Sequence, residues 1–184
     1  MILYHYFLFV LAIFINRIYG YEGINIIFKI SPSRTIVKVL KYFGAKIGRD
    51  VRIKSSFIVH NADLSNPIFS KMVIGDGCYI GRGCLFDLMD SIIIGNNVTI
   101  SHRATLNTHT NFGNSLQGGE KYNNSTGAII IKNGAYIGSD VTILESVTIG
   151  NNTVIGSKSL VNKDISSSAI AYGIPCVAIR KTNR

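Results

Sequence analysis

Charged residues are scarce in this chain. Only 16% of its 184 residues are Asp, Glu, Lys or Arg. A surface with so few charges has to be covered over much of its area, which favours an oligomer. Acidic residues are the rarest, 10 against 19 basic ones, so the formal net charge is +9. No basic motif interleaved with aromatic residues accompanies this excess, and we therefore expect no nucleic-acid partner.

Cysteine and proline are also few. The three cysteines, Cys78, Cys84 and Cys176, are an odd number. They give no disulfide framework, so we expect reduced, buried thiols in a cytoplasmic protein. Three prolines beside 18 glycines suit a fold with many tight corners.

The chain does have a repeat with a period of six. One apolar residue recurs at every sixth position from Ile131 to Val161, and the same period reaches upstream as far as Ile47. No helix or ordinary sheet has this period. A chain that turns a corner every six residues has it, because each side needs one inward anchor. Three sides close a coil, and stacked coils pair their edges as parallel strands, so the sequence predicts a three-sided solenoid.

One long stretch interrupts the repeat. Between Leu106 and Ile131 lie 25 positions where six would continue the coil. The extra residues form a loop over about 110–128 that is rich in Asn, Gly and Ser. A loop of this length in a compact domain is usually functional or disordered, and a merely tolerated insertion is the alternative.

The first 54 residues differ from the rest. The chain starts with a 15-residue apolar run, MILYHYFLFVLAIFI, which lacks the basic start and small-residue cleavage site of a signal peptide. Residues 1–54 also carry nine lysines and arginines against Glu22 and Asp50, which is seven of the nine net positive charges. This composition is typical of a protein that rests on the inner, anionic face of a membrane. A helix packed against the oligomer is the alternative.

A short helix is predicted between this run and the coil. Ser31 and Pro32 read as N-cap and first helical residue, Gly44 ends the helix, and Ile36, Val39, Leu40 and Phe43 follow helical spacing between them. This helix would cover the open end of the solenoid. We accordingly divide the chain into an N-terminal segment with its cap helix, 1–44, and a coil domain, 45–184.

Three motifs resemble one family. They are the GEKY of the loop, the run AYIGSDVTILESVTIGNNTVIGSKSLVNKD and the ending GIPCVAIR. Together with the hexads they resemble the hexapeptide-repeat acetyltransferases over residues 45–181, especially the galactoside and maltose O-acetyltransferase type, whose relatives modify bacterial surface polysaccharides. The resemblance implies an all-β fold, a left-handed parallel β-helix with a short N-terminal helical segment. It also implies a homotrimer with acetyl-coenzyme A lying along the coil between subunits, and no metal.

The resemblance also implies a catalytic histidine. His109 stands just after a hexad at the start of the loop, where the family has its general base, and a neutral imidazole can accept a proton at working pH. His102 is the rival. Asp87 precedes His109 by about one coil, so it could orient the imidazole or hold a sugar hydroxyl. Leu88 follows it where serine acetyltransferases have a histidine, which argues against serine as acceptor.

Other positions match the family's binding residues. For the cofactor these are Ser139 and Ser157, with Lys163, Arg180 and Lys181 of the phosphate-binding type. Tyr136 stands where the close relatives have tryptophan and could pack on the cofactor. Asp90, in the turn after Asp87, and Glu120 and Tyr122, in the loop, could contact the acceptor. The acceptor is expected to be a sugar or a polysaccharide precursor, and the apolar N-terminus favours a lipid-linked or polymeric one. Glu145 and Ser146 stand where the family has Pro-Gly, and the sequence assigns them no function.

Three other functions stay open from the sequence. A hydratase of the carbonic-anhydrase kind needs three histidines on a metal, and His60, His102 and His109 fit that poorly. A catalytically silent scaffold at the membrane would not bind coenzyme A. An N-acetyltransferase acting on an amino sugar would differ only in its acceptor.

Overall fold

The N-terminal apolar run folds back on itself. The computed structural model describes residues 2–63, 67–113 and 123–181, and it begins with helix α1, Ile2–Ile30. Gly20, with φ 61° and ψ −161°, breaks this helix into two halves. The halves touch, because a Cβ on Gly23 would lie 3.3 Å from the Ile15 carbonyl oxygen. On a straight helix these residues would be about 12 Å apart, so α1 is a helical hairpin.

The second half of α1 and helix α2, Ser33–Tyr42, cover one end of the coil. α2 buries Ile36, Val39 and Leu40, as its spacing predicted. The predicted start was one residue early: Pro32 is the N-cap residue and gives no side-chain cap. The Ser33 hydroxyl instead accepts a hydrogen bond from the backbone N–H of Ile53 in the coil, at 2.8 Å.

The rest of the described chain is a succession of short strands, most of them two or three residues long. They are β1 Lys46–Ile47, β2 Arg52–Ile53, β3 Ile58–His60, β4 Met72–Ile74, β5 Tyr79–Ile80, β6 Leu85–Asp87, β7 Ile92–Ile94, β8 Thr99–Ile100, β9 Thr105–Leu106, β10 His109–Thr110, β11 Ser125–Thr126, β12 Ile129–Ile131, β13 Tyr136–Ile137, β14 Thr142–Ile143, β15 Thr148–Ile149, β16 Val154–Ile155, β17 Leu160–Val161, β18 Ala169–Tyr172 and β19 Val177–Lys181.

Each strand pairs with the strand one coil away, as a three-sided coil requires. That strand is three places along the chain, five where β10 and β11 intervene, and two from β16 to β18. The first sheet has the order β1-β4-β7-β12-β15, the second β2-β5-β8-β13-β16-β18-β19, and the third β3-β6-β9-β14-β17. All pairs within them are parallel except the last, in which β19 turns back along β18. Among the described strands, β10 and β11 alone lie outside the three sheets, and they pair antiparallel with each other at the base of the inserted loop.

The hexad residues form the core. In the first sheet Ile47, Ile74, Ile94, Ile131 and Ile149 stack on one another, and the second and third sheets stack their own anchors in the same way. These anchors are all buried, as the sequence predicted. The three cysteines are buried too, and none is paired. The solenoid is therefore held by one continuous apolar column of side chains.

The first half of α1 leaves an apolar face uncovered. Its exposed large side chains are Leu3, Tyr4, Tyr6, Phe7, Val10, Phe14, Ile18 and Tyr19. By length and composition alone, residues Leu3–Ile30 would suffice to cross a membrane. The fold-back at Gly20 leaves no straight helix of that length, since the first half covers only about 27 Å at 1.5 Å per residue.

Candidate active site

Two corners of the coil carry the predicted site residues. The carboxyl ends of the third sheet's strands, with the turns that follow them, form the histidine corner, which contains His60, Asp87, His109, Glu145 and Lys163. The turns between the second and third sheets form the serine corner, which contains Arg82, His102, Ser139 and Ser157 on successive coils. The serine corner lies where the strands of the third sheet begin, and the histidine corner lies where they end.

His109 and Asp87 meet at the histidine corner. The Nδ1 atom of His109 lies 2.7 Å from Oδ2 of Asp87. The Asp87 side chain is 1% exposed and that of His109 is 18% exposed. Asp87 is the last residue of β6. The predicted stacking of an acid one coil before the histidine is found.

Neighbouring donors hold the Asp87 carboxylate. Oδ1 accepts from the Asn61 amide at 2.8 Å, and Oδ2 accepts from both the backbone N–H and the hydroxyl of Thr108 at 2.9 Å. Burial raises the pKa of Asp87, but the hydrogen bonds from His109, Asn61 and Thr108 outweigh it and hold the pKa below its ordinary value. Asp87 is therefore ionised at neutral pH and can only accept, so Nδ1 of His109 carries the proton.

Glu145 joins this corner to the base of the loop. Its Oε1 atom accepts hydrogen bonds from the hydroxyls of Thr110 at 2.9 Å and Ser125 at 2.8 Å, one on each strand of the β10–β11 ribbon. Burial raises the pKa of Glu145, while its own backbone N–H, these hydroxyls and the charge of His109 lower it, with a net lowering. Sequence reasoning missed this residue, and its place one coil after the loop was the only signal.

The predicted acceptor residues are only partly described. The Asp90 carboxylate accepts from the backbone N–H of the next residue, Ser91, so it stabilises its own turn. The Asp90 backbone N–H donates to the Thr108 hydroxyl at 3.0 Å, which ties this turn to the Asp87 network. Glu120 and Tyr122 lie outside the described residues.

The predicted cofactor serines meet at the serine corner. The backbone N–H of Ser139 donates to the Ser157 hydroxyl at 3.2 Å, and the Ser139 hydroxyl lies 2.8 Å from that of Ser101 and 3.1 Å from Nδ1 of His102. Tyr136 precedes this corner on the second sheet and is 44% exposed. His102, the rival base, thus lies where the strands of the third sheet begin, whereas Asp87 lies where they end.

The three predicted phosphate-binding cations are divided. Arg180 lies on β19, paired with Ile170 at the edge of the second sheet, and Lys181 is the last residue of that strand, with its side chain outside the described part. Lys163 lies at the histidine corner, just after β17. Within one subunit, therefore, Lys163 lies at the histidine corner with His109. The two serines lie at the serine corner, and Arg180 lies on the second sheet.

The histidines do not converge on one point. His60 Nδ1 lies 3.8 Å from Oδ1 of Asp87 at the histidine corner, whereas His102 lies at the serine corner. Across residues 2–63, 67–113 and 123–181, no group of three His, Cys, Asp or Glu side chains is arranged to hold a metal ion.

Similarity to known proteins identifies the family of this chain. Residues 128–163 match the family model described as bacterial transferase hexapeptide (six repeats). The galactoside O-acetyltransferase of Escherichia coli K12 is 35% identical over 145 residues, which are 73% of this chain and 69% of that protein. This chain belongs to the hexapeptide-repeat acetyltransferases. The family and the enzyme class predicted from the sequence are thus confirmed.

Two further relatives extend the likeness. The putative colanic acid biosynthesis acetyltransferase WcaF of Escherichia coli K12 is 29% identical, covering 78% of this chain and 72% of its own. A galactoside acetyltransferase solved in complex with coenzyme A matches with a TM-score of 0.69 and 27% identity, over 85% of this chain and 76% of that one. Coenzyme A is therefore the acyl carrier in the family, in agreement with the predicted donor.

Proposed function

We propose that this enzyme transfers an acetyl group from acetyl-coenzyme A to a hydroxyl of a sugar, with His109 as the general base. The observation that carries the proposal is the buried Asp87 carboxylate 2.7 Å from Nδ1 of His109. Asp87 holds the proton on Nδ1, which leaves Nε2 as the acceptor atom for a hydroxyl proton. This is the arrangement by which a carboxylate orients an imidazole base in acyl transfer.

The reaction needs no covalent intermediate. The acceptor O–H loses its proton to Nε2 of His109 while its oxygen attacks the thioester carbonyl carbon. The C–S bond then breaks, and the thiolate of coenzyme A takes the proton from the imidazolium. Asp87 stabilises the transient positive charge on His109 and keeps its ring in place.

The complete site needs two subunits. The proposed assembly is a trimer of left-handed β-helices, in which the histidine corner of one subunit faces the serine corner of the next. Tyr136, Ser139, Ser157, Arg180 and Lys181 of one subunit then bind acetyl-coenzyme A beside His109 and Lys163 of its neighbour. The separation of these two sets on one chain supports this arrangement, because neither corner alone holds both base and cofactor residues.

The proposed acceptor is a precursor of a surface polysaccharide. The similarity to a colanic acid acetyltransferase supports this class of substrate. The apolar face of α1 and the basic residues of the first 54 positions support work at the inner face of the membrane, where such precursors carry lipids. Asp90, Glu120 and Tyr122 remain the proposed acceptor contacts.

The decisive experiment compares two histidine variants. His109→Ala should lower acetyl transfer by about 10²–10⁴, as expected when a positioned base is lost, while coenzyme A binding by calorimetry stays near wild type. His102→Ala, at the other corner, tests the rival base and should keep measurable turnover. Full activity of His109→Ala with a dead His102→Ala would refute the assignment. No coenzyme A binding by the wild type would instead indicate a scaffold.

A further inference from the structure

A cavity lies at the serine corner, beside His102. It has a volume of about 490 Å³ and is lined by Ser56, Tyr79, Gly81, Arg82, Gly83, Ser101, His102 and Arg103. These residues belong to the first three coils, on the side of the cap. Ser56 is held against the cap, since its backbone N–H donates to the Phe28 carbonyl at 3.0 Å. A volume of this size is within the range of ligand pockets.

The cavity continues the column of cofactor serines. At this corner the backbone of Lys158 bonds to Ser139, that of Asp140 to His102, and that of Arg103 to Arg82. Ser157, Ser139, His102 and Arg82 therefore follow one another, a coil apart, at about 4.8 Å per step. The cavity begins one step beyond Ser139, toward the N-terminal end.

This position is where an acceptor has to lie. In the proposed function the phosphates of coenzyme A bind near Arg180, at the C-terminal end, so its acetyl group points toward the N-terminal coils. The next free space along the column is the cavity at His102 and Arg82. A sugar bound there presents its hydroxyl to the thioester carbon from the side opposite to the rest of acetyl-coenzyme A.

The cavity is cationic. Arg103 is neutralised by Asp140, with contacts of 2.6 and 2.8 Å. Among the described residues, the ion pairs found involve neither Arg82, Lys54 nor Arg52. Arg52 and Lys54 lie 5.8 and 6.0 Å from the ring centroid of Tyr79, but neither lines the cavity. Arg82 is thus the lining cation without a carboxylate partner among the described ion pairs, and a guanidinium suits a phosphate ligand.

We infer that this cavity binds the phosphate or diphosphate of the acceptor, so that the substrate is a phosphate-linked sugar. The inference rests on the proposed function, because it takes the acceptor side from the direction of the cofactor. Arg82 contacts the phosphate oxygens, assisted by His102 and by the hydroxyls of Ser56 and Ser101. A sugar nucleotide and a polyprenyl diphosphate sugar share this chemistry.

The test measures binding and turnover on the full-length protein in detergent. Calorimetry compares the 1-phosphates of glucose, galactose and mannose with the corresponding methyl glycosides, and thiol release from acetyl-coenzyme A reports transfer to each. At least one hexose 1-phosphate should bind about tenfold or more tightly than its methyl glycoside. Arg82→Gln should remove about tenfold of this preference, Arg82→Lys should restore part of it, and Lys132→Gln, an exposed cation on another corner, should leave it intact.

Each outcome decides a separate point. Equal affinity for phosphorylated and neutral sugars, or an equal loss of both with Arg82→Gln, overturns the inference. Binding of galacturonate as tight as that of the phosphates also overturns it, since the site would then be for a carboxylate. Arg82-dependent phosphate binding without any acetyl transfer keeps the phosphate site but removes its role for an acceptor, and it sinks the proposed function. Turnover of UDP-galactose against polyprenyl-diphosphate galactose in vesicles then tells the soluble source from the lipid.

Discussion

Asp87 accepts hydrogen bonds on both of its carboxylate oxygens. Asn61 binds one oxygen, and His109 together with Thr108 binds the other. Because each of these groups donates a hydrogen bond, the site stabilises Asp87 as an ionised carboxylate, which can only accept hydrogen bonds. The imidazole of His109 is then fixed in one tautomer before any substrate arrives.

The substitution Asp87→Asn tests this arrangement. An amide at this position keeps the size of the side chain but brings a donor opposite other donors, so the His109 ring loses its orientation. We expect kcat to fall by about 10²–10⁴ with little change in the affinity for coenzyme A. A loss confined to KM for the acceptor would show that Asp87 holds a sugar hydroxyl instead.

The difference in stability between the wild type and this variant should depend on pH in a defined direction. The pKa of Asp87 is lowered in the folded protein, so its contribution to stability is present above its ordinary unfolded value near 3.9 and is lost as pH falls through the folded value. Thermal unfolding of wild type and Asp87→Asn should therefore differ at pH 7 and converge below about pH 4. A constant difference across this range would contradict the ionised state of Asp87.

His109 was predicted from the family resemblance, and Asp87 from its distance of about one coil along the repeat. The strand register alone puts Asn107 level with Asp87, since Phe86 pairs with Leu106, so the contact with His109 also depends on the turn into β10. Asn61, Thr108 and Glu145 were not predictable in this way, because their contacts depend on side-chain direction at irregular turns. The link from Glu145 to the ribbon strands also required knowing that β10 and β11 pair.

At the scale of elements, coil stacking depends on glycine at some corners. A Cβ on Gly138 would lie 2.6 Å from the backbone nitrogen of Ser157 on the next coil. Gly138→Ala should therefore push two coils apart and lower the free energy of unfolding by about 1–3 kcal/mol, measured by denaturant unfolding. Ser101→Ala is the control, since this position of the neighbouring coil already carries a Cβ. Equal stability of the two variants would contradict the close approach.

The coil and the cap helix followed from periodicity, but the hairpin in α1 did not. Apolar residues of α1 occur on nearly every side of the helix, so its sequence shows no single apolar face that would indicate which element it packs against. Its turn depends on Gly20, whose φ of 61° and ψ of −161° suit glycine and strain other residues. A glycine inside an apolar run is common enough that sequence alone does not distinguish a fold-back from a straight helix.

At the scale of the whole molecule, a shared site predicts complementation between inactive subunits. His109→Ala removes the base of one corner, and Ser139→Trp blocks the cofactor groove at the other. Each variant alone should still form a trimer, measured by light scattering, but should be inactive. Coexpressed in equal amounts, they should regain roughly a quarter of wild-type activity, because one site in four then combines an intact histidine corner with an intact serine corner. No recovery in mixed trimers would place the whole site on one chain.

The N-terminal hairpin gives a natural boundary for testing membrane attachment. Residues 1–19 carry the exposed apolar face, although Leu8 and Ala12 in this stretch are buried, and the half of α1 after Gly20 buries Ile24, Ile27 and Phe28. Removing residues 1–19 should therefore release the protein from membranes and leave the cap in place. Burial of the apolar face is worth several kcal/mol at about 25 cal/mol per Å². Each basic residue near an anionic surface adds about 1 kcal/mol at low salt.

Flotation with liposomes measures both contributions. Full-length protein should float with anionic liposomes, less with neutral ones, and less again at high salt, while the truncated protein stays at the bottom and keeps its β-sheet circular dichroism. The apolar term does not depend on salt, so some flotation with neutral liposomes should persist after the electrostatic term is screened. If the full-length protein stays dispersed without lipid or detergent, the exposed face of α1 is covered inside the oligomer. If truncation yields aggregates, residues 1–19 are part of the cap.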